Sequence, residues 1–119
     1  MHNHCVVLAI ATVTFLAASL VSLTSSQAQS TFDNAATHQQ ARYGGKTCFV
    51  THQHYGESPS WPTKTGARRA AIRKWEAFTT WEYGKRWGSY RLARGKRMSC
   101  DKSGSRWLCA TTAYPCRRR

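Results

Sequence analysis

Three histidines are the residues of this sequence whose type and spacing could support chemistry. His52 and His54 alternate in a short stretch, so a strand there would project both imidazoles to one face. With His38 they could ligate a metal ion, or the pair could act as the base and the acid of a small hydrolase or ribonuclease. Two histidines and a mobile third are a weak signal for a metal site, and residues so near each other in sequence are awkwardly placed to flank a scissile phosphate from opposite sides. We therefore predict a polar surface strand with no metal, no cofactor and no catalytic residue.

Other catalytic arrangements find no support in the sequence. Glu76 and Glu82 are about 120° apart on a predicted helix, so they do not form the facing carboxylate pair of a glycosidase. The chain has no glycine-rich loop of the kind that holds a phosphate. With 119 residues it is one small domain, which excludes a soluble two-domain enzyme. The sequence therefore favours a non-enzymatic protein.

Positive charge is the strongest functional signal in the chain. The 18 Lys and Arg residues outnumber the 5 Asp and Glu residues, which gives a net charge of +13, and all of these residues lie beyond Ser30. Guanidinium groups bind phosphate, sulfate and carboxylate in bidentate fashion, and they stack on aromatic rings. The predicted anion-binding residues are Arg68, Arg69, Arg73, Arg91, Arg94, Arg97, Arg117, Arg118 and Arg119.

This charge predicts partners of the opposite sign. Lipopolysaccharide, acidic polysaccharide and anionic lipid at a membrane surface are the expected classes, and nucleic acid would bind only as a non-specific polyanion. Trp61 and Trp81 are the aromatic residues least committed to a core, and either could stack on a sugar or a lipid headgroup. Two alternatives stay open, namely a solvated basic surface without a dedicated ligand and an antimicrobial or host-directed effector.

The N-terminal residues predict export. Residues 6–23 are apolar and precede a small, polar stretch, as in a secretory signal peptide. We expect cleavage after Ala28, with Ser30 as the alternative, so that residues 1–28 are removed and the protein becomes secreted or periplasmic. The first five residues carry no Lys or Arg, and an uncleaved N-terminal membrane anchor is the other option.

The cysteine count predicts disulfides. Removal of Cys5 with the signal peptide leaves four cysteines, an even number that in a short exported chain indicates two bridges with three conceivable connectivities. Zinc coordination is the rival interpretation. The four cysteines lack the paired close spacing of a zinc ribbon, so we favour disulfides.

A β-hairpin predicted at about 96–114 determines which two cysteines form the first bridge. A type II′ turn with Gly104-Ser105 at its centre places Cys100 directly opposite Cys109. The alternation of pair types makes this a non-hydrogen-bonded pair, whose close Cα atoms suit a cross-strand disulfide. A four-residue loop would instead set Cys100 beside Trp107 and prevent the direct bridge.

The second bridge follows by elimination. Cys48 would pair with Cys116 and tie an early strand to the C-terminal end of the chain. In the loop-entropy model, closure of so long a loop contributes on the order of 4 kcal/mol. This contribution matters because the chain beyond the leader has few aliphatic residues to form a core.

Residues 67–83 carry the clearest helical pattern. Thr65 is the expected N-cap and Gly84 the expected terminator. A shorter second helix is considered for residues 85–94, although Gly88 in its middle lowers the helix propensity. The apolar side chains that share one arc of the main helix and that we expect in the core are Ala67, Ala71, Ile72, Trp75 and Phe78.

The second half of the chain resembles a known group of proteins. The residues that carry the resemblance are Ala71, Ile72, Trp75, 83–84, 87–93, 99–100, Trp107, Cys109 and 113–116, followed by a basic tail. Over residues 67–119 the chain is similar to small uncharacterised exported cysteine-containing proteins of alphaproteobacteria. That group has no assigned activity, so the resemblance implies export, a helical segment and a disulfide-bonded end, and no functional residue.

Together these features predict a small α+β fold. The main helix at about 67–83, the shorter helix at about 85–94 and the disulfide-bridged hairpin at about 96–114 are its expected elements, with residues 46–52 as an edge strand. Residues 29–46 are polar and show no periodicity, so they are expected to be a flexible leader. The basic domain would then span residues 47–119.

Overall fold

The computed structural model describes residues 31–119, and these residues adopt the small α+β fold that the sequence predicts. The predicted signal peptide and its cleavage near Ala28 lie outside the described residues. Within residues 31–119, the helices are too short or too polar to cross a bilayer. The elements in chain order are α1 (Thr31–Ala36), β1 (Gln40–Tyr43), β2 (Lys46–Phe49), β3 (His54–Glu57), α2 (Lys64–Tyr83), β4 (Arg94–Ser103), β5 (Arg106–Tyr114) and β6 (Cys116–Arg118).

The strands form two antiparallel sheets of three strands each, in the orders β1-β2-β6 and β3-β5-β4. Helix α2 packs on one face of the β3-β5-β4 sheet. Gly56 of β3 makes the close approach between them, because a Cβ atom at this position would lie 2.4 Å from the carbonyl oxygen of Ala71 and 2.6 Å from the amide nitrogen of Trp75. Only glycine allows the helix backbone to come this near to the strand.

Helix α2 begins earlier than the sequence predicts. Thr63, rather than Thr65, is the N-cap, and its side-chain oxygen accepts a hydrogen bond of 3.0 Å from the amide of Gly66. The helix ends as predicted at Gly84, which has a φ of 84° and donates its amide proton to the carbonyl of Thr80. The positive φ explains why glycine stands at this end.

The buried face of α2 differs from the predicted arc in one respect. Phe78 is 45% exposed, so its predicted place in the core is wrong, whereas the neighbouring Thr79 is fully buried. Ile72 is half-buried. The buried residues of the helix are Ala67, Ala70, Ala71, Trp75, Thr79 and Tyr83.

The C-terminal hairpin confirms the predicted register. Cys100 lies opposite Cys109 and Ser103 opposite Arg106, and Gly104 has a φ of 59°. A positive φ at the first central residue of the turn but not at the second is the pattern of a type II′ turn. The predicted bridge between Cys100 and Cys109 is present.

The second predicted bridge, between Cys48 and Cys116, joins the middle strand of the other sheet to β6. The sequence predicts that the strand containing Cys48 lies at the edge of a sheet. This prediction is wrong, because that strand is β2, which lies between β1 and β6. The reason is that Gln40–Tyr43, inside the predicted flexible leader, folds back on β2 as β1. Gly44 and Gly45 both have positive φ, as a two-residue type I′ hairpin turn requires.

No helix forms at residues 85–94, where the sequence analysis considers one. This segment contains consecutive turns, in which the amides of Trp87 and Leu92 donate to the carbonyls of Gly84 and Ser89. The turn directs Trp87 inward, where its ring stacks on Phe49 with centroids 4.3 Å apart. Burial of this large ring outweighs the weak helix propensity of a segment that contains glycine.

The largest fully buried side chains of the core are aromatic. Trp75 and Tyr83 are fully buried, and Trp87 is nearly so. The indole N–H of Trp75 donates to the carbonyls of His54 and Ala113, at 3.0 and 3.3 Å, so the buried ring links α2 to two strands. Large aromatic rings thus take the place of the few aliphatic residues in the core.

Candidate functional site

Side chains that could do chemistry meet where the start of β3 reaches the last turn of α2. The ring centroids of His52 and His54 are 5.1 Å apart, and those of His38 and His52 are 4.5 Å apart in a stacked arrangement. The structure therefore brings together all three histidines that the sequence analysis singles out. We call the group of His38, His52, His54, Glu82 and Tyr83 the histidine cluster.

His54 is the buried centre of the histidine cluster. Its side chain is only 1% exposed, so the predicted polar surface strand is wrong at this position. Its Nδ1 atom lies 2.8 Å from the Thr79 hydroxyl, and that hydroxyl donates its proton to the carbonyl of Trp75 at 2.7 Å. Because a hydroxyl has one proton, Thr79 accepts from His54. Nδ1 therefore carries the proton, and the lone pair of the neutral ring is on Nε2.

The protonation of His54 follows from its surroundings. Burial, and then the neighbouring His52 and His38, lower the pKa of His54 to about 4. The ring is therefore neutral at neutral pH. The pKa of His38 is also lowered, first by burial and then by His52.

Glu82 faces the unprotonated nitrogen of His54. Its Oε2 atom lies 3.1 Å from His54 Nε2, but the angles are not those of a hydrogen bond, and Nε2 has no hydrogen-bond partner. A carboxylate and a lone pair at this distance repel each other unless a positive charge lies near both. The Glu82 side chain is 26% exposed, so this side of the histidine cluster is open to solvent.

Tyr83 contacts both His38 and His54 within the cluster. Its hydroxyl lies 2.9 Å from Nε2 of His38, and its ring stacks on that of His54 with centroids 5.0 Å apart. Burial, followed by the charge of Glu82, raises the pKa of the Tyr83 hydroxyl. The hydroxyl therefore keeps its proton over the physiological pH range.

The sequence analysis misses Glu82 and Thr79 as members of this site. Thr79 and Glu82 follow Trp75 on α2 by four and seven residues, respectively, and so lie on the continuation of the helix's buried face. That spacing is the signal in the sequence. The spacing identifies members of the site only when the partner strand is known, because β3 brings His54 against this end of the helix.

The Lys and Arg side chains have no acidic partners among the side chains of residues 34–119. Among the side chains of residues 34–119, none of the Lys or Arg groups lies within 4.0 Å of a carboxylate, and the one contact between a carboxylate and a basic side chain is that of Glu82 with His54. Glu76 accepts a hydrogen bond from the amide of Tyr90 instead. The carboxylates of residues 34–119 therefore do not neutralise the positive charges on this surface.

The predicted anion-binding arginines lie on more than one face. Arg68, Arg69 and Arg73 are on the exposed side of α2. Arg97 of β4 and Tyr55 of β3 lie in the same row of residues across the sheet. The adjacent row contains Gly56, which faces α2. Because successive rows point to opposite faces, Arg97 projects from the other side of the sheet. Arg91, Arg118 and Arg119 are exposed elsewhere on the chain.

Arg94 is the predicted anion-binding residue that the structure gives an internal role. Its guanidinium lies 4.2 Å from the centres of both the Tyr43 and the Tyr114 rings. It also donates to the carbonyls of Phe49 and Val50, at 3.2 and 3.1 Å. These contacts occupy the faces and one amino group of the guanidinium, so Arg94 joins the two sheets rather than extending into solvent.

Two shallow grooves combine cations with a tryptophan. The first, of about 340 Å³, is lined in part by Trp61, Arg73 and Lys74. The second, of about 220 Å³, is lined in part by Trp87 and Arg117, whose guanidinium lies 5.3 Å from the ring centre. Trp81, on the exposed face of α2, is 72% exposed and lies in neither groove.

A scan of the chain against protein-family models found no match, and neither did searches of curated proteins and of solved structures.

Proposed function

We propose that this is a non-enzymatic, exported basic protein that binds anionic polymers of the cell envelope or the extracellular medium. The observation that carries the proposal is that the Lys and Arg side chains of residues 34–119 lack carboxylate partners within 4.0 Å in a chain of net charge +13. Unpaired surface cations attract polyanions and raise their rate of association. Lipopolysaccharide, acidic polysaccharide and anionic lipid are the proposed partner classes.

Dispersion of the arginines over several faces favours polymers over small ligands. A long polyanion can contact cations on α2 and at the end of β6 together, whereas a small ligand would need them to converge. The groove at Trp61 adds a partly exposed tryptophan ring beside Arg73 and Lys74, an arrangement that suits a sugar carrying a negative charge. Nucleic acid would bind through the same charges and without sequence preference.

The proposed location is the periplasm or the outside of the cell, after cleavage near Ala28. The two disulfides support it, because such bridges form and persist in oxidising compartments. Retention by an uncleaved N-terminal anchor would leave the domain in the same compartment. Intact mass of the exported protein, before and after reduction and alkylation, distinguishes cleavage from anchoring.

The burial of His54 argues against the alternative of a hydrolase or ribonuclease that uses His52 and His54. A residue that donates or accepts a proton in catalysis must reach the substrate. The His54 side chain is 1% exposed, and Thr79 occupies its Nδ1 atom. We therefore do not assign catalysis to this pair.

Retention on immobilised heparin and lipopolysaccharide tests the proposed function. Electrostatic binding to a polyanion weakens steeply as the salt concentration rises. We expect retention at low salt, a linear fall of log affinity with log salt, and higher affinity than that of a scrambled, unfolded peptide of equal charge. Affinity no better than that of the peptide would refute a role for the folded surface.

A further inference from the structure

We propose that His52, His54 and Glu82 form a binding site for one divalent late first-row metal ion such as Zn²⁺. One ligand atom from each residue, an imidazole nitrogen or a carboxylate oxygen, lies within 4.8 Å of the other two. The sequence analysis predicts no metal here, because two adjacent histidines and a distant third offer no defined ligand set. The structure supplies the missing ligand from the last turn of α2.

The distance between the first two ligand atoms fits a shared metal ion. Bonds of about 2.0–2.2 Å in a tetrahedral zinc site separate neighbouring ligand atoms by about 3.3–3.6 Å. His54 Nε2 and Glu82 Oε2 are 3.1 Å apart, so a small outward movement accommodates the ion. His52 is half-buried at the rim and needs to approach by a side-chain rotation.

His54 is prepared as a metal ligand by its neighbours. The Thr79 hydroxyl accepts the Nδ1 proton and is itself fixed by the Trp75 carbonyl, so the Nε2 lone pair points into the cluster. Histidines that bind metals are commonly held in this way through their other ring nitrogen. Nε2 is buried without a hydrogen-bond partner, and this orphaned lone pair is the independent sign of an absent ligand.

The donor set selects the class of metal. Two imidazoles and one carboxylate suit Zn²⁺ and other late first-row ions, whereas Ca²⁺ and Mg²⁺ require mostly oxygen ligands. The four cysteines of residues 34–119 are paired in disulfides, so thiolates there do not compete for the ion. A set of three protein ligands leaves a fourth position for water or an anion.

Calorimetric titration of Zn²⁺ into the oxidised chain tests the site. We compare the wild-type chain with Glu82→Gln and His52→Ala, two partly exposed positions where substitution spares the buried His54. Glu57→Gln is the matched control, because it removes an exposed carboxylate of β3 that lies outside the cluster. Near-ultraviolet circular dichroism establishes that each variant is folded.

We expect the wild type and Glu57→Gln to bind Zn²⁺ equally, and Glu82→Gln and His52→Ala to bind at least about tenfold more weakly, since even outer-shell changes cost 10- to 100-fold. Zn²⁺ should also raise the Tm of the wild type and of the control by more than that of the other two variants. Unchanged affinity in Glu82→Gln and His52→Ala, or a wild type that binds no Zn²⁺, would overturn the proposal. Heparin retention is measured on the same variants, so failure of the metal site is distinguishable from failure of polyanion binding.

Discussion

The Nδ1 atom of His54 lies 2.8 Å from the hydroxyl oxygen of Thr79, inside the core where β3 meets α2. The Thr79 hydroxyl donates its own proton to the carbonyl of Trp75, four residues earlier in the helix. A side chain that is unremarkable in the helical pattern thus fixes the orientation and the tautomer of a buried imidazole. The contact joins the strand to the helix through two buried polar side chains.

Thr79→Val should destabilise the protein by about 1–3 kcal/mol, because the substitution keeps the shape but leaves the buried Nδ1 proton of His54 without an acceptor. Thr65→Val, on the exposed first turn of α2, makes the same chemical change in solvent and should alter the stability by no more than about 0.5 kcal/mol. Urea denaturation measures both free energies of unfolding. Equal effects of the two substitutions would contradict the assigned hydrogen bond.

Gly56→Ala should cost about 2–3 kcal/mol, because the added Cβ meets backbone atoms of α2 that can move only with the whole helix. The distances in question are 2.4 Å to Ala71 and 2.6 Å to Trp75. Gly44→Ala is the control, since it has a positive φ but no atom within 4 Å of the new Cβ. Its cost should be about 1 kcal/mol from backbone strain alone. Thermal or urea unfolding that ranks the control as the more damaging change would refute the close approach.

Local rules were sufficient to predict the hairpin and both bridges. A glycine at the first turn position determines the turn type, the turn type determines the register, and the register places Cys100 opposite Cys109. Cys48 and Cys116 then have no other partner among the remaining cysteines. Each step depends on residues that are neighbours in sequence or directly opposite in a strand.

Contacts between elements distant in the sequence determine the features of the fold and the site that the sequence does not predict. Phe78 has the better apolar pattern, yet Thr79 is buried, because His54 on another element requires a polar partner there. Glu82 belongs to the histidine cluster only because β3 crosses the end of α2. The pairing of β1 with β2 likewise depends on Gly44 and its neighbour forming a tight turn, and the polar composition of this segment concealed that turn.

Removal of the long-range bridge should destabilise the protein more than removal of the hairpin bridge. The bridge from Cys48 to Cys116 spans 68 residues, and that from Cys100 to Cys109 spans 9. Loop entropy then gives contributions of about 4 and about 3 kcal/mol, respectively. Double Cys→Ala variants of each pair, compared by urea denaturation without reductant, test this order. A larger loss for the hairpin pair would show that strain or packing, and not chain entropy, governs these bridges.

Arg94→Lys should separate folding from polyanion binding. Lysine keeps the charge but cannot lie flat between Tyr43 and Tyr114 while donating to the Phe49 and Val50 carbonyls. We expect a loss of about 1–2 kcal/mol in stability and no change in heparin retention. Arg91→Lys, at an exposed position, should change neither property. A fall in heparin affinity for folded Arg94→Lys would mean that this guanidinium contacts the polymer after all.

Two sets of arginine substitutions should weaken polyanion binding to a similar extent. One triple variant replaces Arg68, Arg69 and Arg73 on α2 with Gln, and the other replaces Arg97, Arg118 and Arg119, which lie outside α2. Because binding depends on dispersed charge, each set should lower the steepness of log affinity against log salt by up to about 3, or about one per lost contact. The measurement is retention of each variant on heparin or on a defined DNA duplex over a range of salt concentrations. If one triple variant abolished binding and the other had no effect, the anion would be bound at a single localised site, and the dispersed surface proposed for this protein would be wrong.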